Sequence, residues 1–147
     1  MKKITLNKNI EIMGFPKTKY QQITYTVSTD GQEIVIDAET DKLYNTCTGI
    51  NILLTNETGK FSTIQLEING VEIFPEKFEA LRLLFRQHVA FGFDYHRLSE
   101  PANGSKIKGK YIDDSNASGY PYNITFSFRL ENMEPASTET KDTGKVD

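Results

Sequence analysis

The chain of 147 residues contains no tryptophan, a single cysteine, Cys47, and only two histidines, His88 and His96. One cysteine closes no intramolecular disulfide, so the fold does not rest on a disulfide framework. With no C-x-x-C or H-x-x-x-H spacing, the usual zinc ligand sets are missing. Long apolar runs are missing too. The greasiest stretches are 50–54 and 80–85. Both fall far short of the roughly 20 residues that a membrane helix needs. The opening Met-Lys-Lys is followed by Asn7, Lys8, Asn9 and Glu11, which break any signal-peptide core, so no export signal and no membrane insertion are expected.

Charge is nearly balanced but unevenly placed. The net −3 lies entirely after residue 130, in Glu131, Glu134, Glu139, Asp142 and Asp147 against Lys141 and Lys145. The first twenty residues, with Lys2, Lys3, Lys8, Lys17 and Lys19 against Glu11, are locally positive. A body without a long basic run argues against duplex nucleic-acid binding as the main role and leaves a weak local contact through the amino end. Apolar residues make up 37 % of the chain, with 9 Phe and 7 Tyr. That is a globular composition, and the length suits one domain.

What is abundant is alternation of period two, the signature of strands with one face buried. Ile124, Phe126, Phe128 and Leu130 alternate with Asn123, Thr125, Ser127 and Arg129. Val89, Phe91, Phe93 and Tyr95 alternate with Ala90, Gly92, Asp94 and His96, and Ile23, Tyr25 and Val27 with their polar neighbours. Ile4, Leu6, Ile10 and Ile12 suggest a further, interrupted strand. Asp30-Gly31 and Asn69-Gly70 predict two tight hairpins, joining strands near 23–27 and 33–37, and 63–68 and 71–74. Further strands are expected over 49–55 and 106–112, making eight or nine. After Pro75, the spacing of Phe78, Leu81, Leu84 and Phe85 predicts one short helix, with Glu76 and Glu79 in its first turn and Arg82 and Arg86 toward its end.

These elements predict an all-β fold, an antiparallel β-sandwich with jelly-roll topology, over residues 1–132. From 133 to 147 the chain is nearly devoid of apolar residues and is expected to form a flexible acidic tail.

Sequence features that resemble chemical sites have ordinary structural readings. Gly104-Ser105-Lys106-Ile107-Lys108-Gly109-Lys110 matches a phosphate loop, but Tyr111 stands where Ser or Thr must reach magnesium, and a strand follows instead of a helix. Asp94 and His96 share one parity, which reads as the polar face of a strand. Cys47 reads as a small packed residue. Asp113, Asp114 and Asn116 lack calcium-loop spacing and read as a turn. The four Asn-x-Ser/Thr triplets at Asn56, Asn103, Asn116 and Asn123 reflect turn composition. No catalytic, cofactor-binding or metal-binding residue is assigned, and no enzymatic activity is expected. Tyr111, Tyr120 and Tyr122 cluster near the last loop and read as core or interface packing, with a ring platform for a carbohydrate or receptor as the alternative.

The run Thr48-Gly49-Ile50-Asn51-Ile52-Leu53-Leu54-Thr55, then Leu66-Glu67-Ile68-Asn69-Gly70-Val71-Glu72-Ile73-Phe74-Pro75, followed by a short helix and aromatic strands, resembles the small jelly-roll structural proteins of bacteriophage virions. That resemblance implies a virion component, of capsid, vertex or fibre type, made in the host cytoplasm. It further implies a homo-oligomer that associates symmetrically with itself and with other virion proteins and carries out no reaction.

Overall fold

The computed structural model describes residues 18–55, 61–86, 88–90 and 93–133. The expected strand over 4–12, the basic amino end up to Lys17 and all of the acidic tail except Met133 lie outside these residues. Eight strands are described: β1 (Thr18–Val27), β2 (Glu33–Glu39), β3 (Thr46–Leu54), β4 (Thr63–Ile68), β5 (Val71–Glu79), β6 (His96–Pro101), β7 (Lys106–Ile112) and β8 (Tyr122–Glu131). They form two four-stranded antiparallel sheets, ordered β1-β8-β3-β6 and β2-β7-β4-β5.

The pairing is nested: β1 with β8, β2 with β7, β3 with β6 and β4 with β5. Such an arrangement is what a long antiparallel ribbon produces when it rolls up, and it is the jelly-roll form of the β-sandwich. The sequence expectation of an all-β sandwich therefore holds. Between the sheets, Ile34, Ile36, Ile64, Leu66, Ile68, Ile107 and Tyr111 meet Ile50, Ile52, Ile124, Phe126, Phe128 and Leu130, all buried. Each such aliphatic or aromatic side chain contributes about 1.5–3 kcal/mol through loss of water contact. This seam holds the two layers together.

Local patterning is corrected in three places. Asp30-Gly31 makes no hairpin, because β1 and β2 belong to different sheets; Gly31, at φ 71°, turns the chain across the sandwich. The helix after Pro75 is absent. Phe78 instead pairs with Ile64, and the amide of Ala80 donates to the carbonyl of Ser62 at 2.9 Å, so ladder pairing captures the residues that would have begun the helix. Only one 3-10 turn, Ala80–Leu83, remains there. Pro75 is tolerated because β5 is a sheet edge.

The third correction concerns the alternating run before His96, whose described residues belong to a connection and not to a strand. The place beside β3 that it would occupy is taken. Leu84 forms a parallel bridge with Ile52, and the amide of Phe85 donates to the Ile52 carbonyl at 2.8 Å. By contrast, Asn69-Gly70 is a hairpin turn with both residues at positive φ, 53° and 79°. This is the conformation that its composition predicts.

Candidate functional site

The sequence-selected residues separate into structural groups. Asp113 is 3 % exposed and gathers four donors: the hydroxyls of Tyr120 and Tyr122 and the amides of Gly31 and Ser115, the last two both at 3.0 Å. Burial by itself would raise the carboxyl pKa, but these hydrogen bonds outweigh it and hold Asp113 below the ordinary value of 3.8. The same contact pushes Tyr120 up to about 12. Burial, then Asp113, then the Tyr111 hydroxyl at 2.9 Å raise Tyr122. Asp114 accepts from the amides of Phe61 and Asn116 at 2.9 and 3.0 Å. These carboxylates are spent on protein donors. No cluster of metal-binding side chains occurs among the described residues.

Tyr111 and Tyr122 are buried, as the core-packing reading expects, and the alternative three-ring platform for a glycan does not form. Their rings point into the seam because both sit on inward positions of β7 and β8. Cys47 is fully buried and its thiol is pushed up to about 11, chiefly by burial. That keeps it protonated and inert near neutral pH. The Gly104–Lys110 segment opens with a positive-φ glycine turn and continues into β7, the strand context that excludes a phosphate loop. His88 and His96 are exposed, and the His96 ring lies 5.3 Å from that of Phe74. Asp94 precedes β6 instead of sharing its face.

A different place collects polar side chains. On the outer face of the β1-β8-β3-β6 sheet, Ser127 stands opposite Gln22 on one side and Asn51 on the other. Asn51 and Ser127 point away from the core, yet they are only 5 % and 4 % exposed. The connection before β6 covers them. Tyr95 lies over the sheet, its hydroxyl 2.8 Å from Ser127 Oγ, its ring 5.5 Å from that of Tyr20 and 5.5 Å from the Arg129 guanidinium carbon. Gly49 makes room for it: a Cβ there would stand 3.0 Å from Tyr95 Cβ. Asn51 Nδ2 reaches Asp94 Oδ2 at a long 3.4 Å, and Asp94 Oδ1 is buried with no hydrogen-bond partner among the described residues. Phe85 and Leu53 complete a cleft of about 150 Å³.

Sequence reasoning missed this group. Its polar members read as the solvated side of two strands, and only Gly49, a glycine inside a strand, marked a close approach from outside the sheet.

Two further features bear on association. Three of the four strand edges are blunted: Gln21 Nε2 donates to the Glu39 carbonyl at 2.9 Å, Gln21 Oε1 accepts from the Asp41 amide at 3.0 Å, and the Asp37 amide donates to the Tyr25 hydroxyl at 3.3 Å. These side chains tie β1 to the open rim of β2. On the far edge, Pro75 and Lys77, the latter at φ 68°, interrupt the regular ladder of β5. Two exposed aromatics lie elsewhere, on connections between strands: Phe61, before β4, is 67 % and Phe93, before β6, 82 % exposed. No helix among the described residues is long and apolar enough to cross a membrane. No protein family model, no curated protein and no solved structure matches this chain.

Proposed function

We propose that this chain is a non-enzymatic structural protein of a virion, of bacteriophage capsid, vertex or fibre type, that works by symmetric self-association. One observation carries the reading: Phe61 and Phe93, on two of the connections between strands, hold large aromatic rings in water. Large exposed apolar side chains, where they gather, mark association surfaces, and a heterologous contact that closes makes a ring. The blunted β1, β2 and β5 edges turn association away from strand addition and toward these connections. Other virion proteins, and through the lysines of the amino end packaged nucleic acid, are the remaining partners of this reading.

Light scattering on the purified full chain across a concentration series tests it. A closed oligomer of defined size is expected, reduced to monomer by Phe93→Ser combined with Phe61→Ser while the thermal melt of the monomer is retained. A wild-type chain that stays monomeric at high concentration, and joins no particle when co-expressed with shell components, contradicts the reading.

A further inference from the structure

We infer that the cleft on the outer face of the β1-β8-β3-β6 sheet is a binding site for a neutral polyhydroxylated ligand about the size of one sugar ring, with Asp94 as its main acceptor. This inference is independent of self-association. It starts from an unsatisfied group. A carboxylate offers about four lone-pair sites, and the described residues supply Asp94 with one long N–H···O contact, leaving Oδ1 with none. A buried acceptor without a donor is costly, and more so when charged. Asp94 lines the cleft, and its Oδ2, engaged among the described residues only by the long Asn51 contact, has acceptor sites to spare. A hydroxyl held in the cleft can donate to that oxygen.

The rest of the lining narrows what that occupant is. The cleft measures about 150 Å³. It is smaller than the ~300–1,000 Å³ of drug-sized pockets, and a single small ring fills it. Asn51, Gln22 and Thr125 line it, Asn51 with its Nδ2 toward Asp94 and Thr125 with its hydroxyl 2.9 Å from that of Thr24. These groups both donate and accept, so an occupant that only donates satisfies Asp94 and wastes the amide N–H groups. Cations are opposed further by Arg82 and Arg86, which line an adjoining cleft built on the same Asp94 and Tyr95. Phe85 and Leu53, 40 % and 48 % exposed, offer an apolar wall to C–H groups. Adjacent hydroxyls on a carbon ring supply donor, acceptor and apolar face together. The Tyr95–Ser127 hydrogen bond and the Arg129 guanidinium against the Tyr95 ring hold the wall in place before anything binds, and such preorganisation lowers the cost of binding.

The test is a two-dimensional amide NMR titration of the full chain with glucose, galactose, mannose and N-acetylglucosamine at millimolar concentrations, each alone. Saturable shifts at Asn51, Ser127 and Gln22 are expected with at least one of them. Asp94→Ala should weaken that binding at least about tenfold while melting no lower than wild type, since it removes an unpartnered group; Asp94→Asn, which keeps shape and loses charge, should weaken it less. Absence of shifts with all four sugars overturns the inference. So does binding that persists unchanged in Asp94→Ala, or a response at these residues to guanidinium or calcium chloride with none to the sugars.

Discussion

The two ends of this sandwich are built on different principles. At one end the connections 40–45, 69–70 and 102–105 are short and are tied by backbone hydrogen bonds, Thr40 amide to Ser105 carbonyl at 2.9 Å, Ala102 to Asn45 at 2.9 Å and Asn69 to Lys106 at 2.8 Å, and by side chains, Asp41 accepting from the Leu43 amide and pairing with Lys19. At the other end lie the connections 28–32, 55–62, 80–95 and 113–121, and the roots of two of them meet at one carboxylate, Asp113. The charge that serves the first end, on Asp41, is partly open to water, whereas Asp113 is buried. Convergence on a single ionised group frees the other end to carry long connections, exposed aromatics and the roof of the polar cleft.

The largest effect expected from this contrast comes from Asp113→Ala, which strands two tyrosine hydroxyls and two amides. Denaturant unfolding should show a loss of about 3–5 kcal/mol, with faster amide exchange in 28–32 and 113–121 than at the opposite end. A uniform loss of protection over both ends breaks the comparison.

Acid should act in the same direction. The folded Asp113 pKa lies below the ordinary 3.8. Its contribution is therefore complete above that value and is lost as pH falls through the lower folded one. Amide exchange followed downward from mildly acidic pH should open the Asp113 end first. Asp41 is also depressed, chiefly by its hydrogen bond with Lys19, but that pair is open to solvent and is screened by salt, so added salt should leave the Asp113 transition in place.

Smaller effects belong to the sealed end. Ser105→Ala removes the hydroxyl contacts to the Pro101 and Ala102 carbonyls, both 2.8 Å, but keeps the backbone pair with Thr40. A loss of about 1 kcal/mol in the same unfolding assay is expected. Gly70→Ala places a Cβ at φ +79° with open space around it. The cost is then conformational only, about 1 kcal/mol. Smallest of all, Phe93→Ser should change monomer stability by no more than about 0.5 kcal/mol, since its ring touches water. A larger loss would show that Phe93 is packing and not an association residue.

Legibility in the sequence follows the range of the interactions involved. Thr63–Ile68 and the Asn69-Gly70 turn were readable to the residue, because alternation and positive-φ chemistry are local. The run from Val89 to Tyr95 alternates just as well and forms no described strand, because Leu84 and Phe85 already occupy the edge of β3 beside Ile52. The helical spacing of Phe78 and Leu81 likewise yields to a ladder partner, Ile64, distant in the chain. Asn51 and Ser127 carry no sequence mark of burial, since what covers them arrives from a connection that lies, at Asp94, 43 residues after Asn51. No local pattern marks what the Tyr122 hydroxyl meets, because Asp113, to which it donates, becomes a hub only when Gly31 is folded against it.

By itself the order of residues determined that this chain would make strands, where several of them turn, and that two apolar faces would close on one another, because period and turn chemistry are properties of neighbouring residues and water drives the rest. Which strand lies beside which, the gathering of donors on Asp113 and the unfilled valence of Asp94 were decided only in three dimensions. Each of these depends on competition between segments far apart in the chain for the same edge, donor or space, and such competition leaves no local pattern.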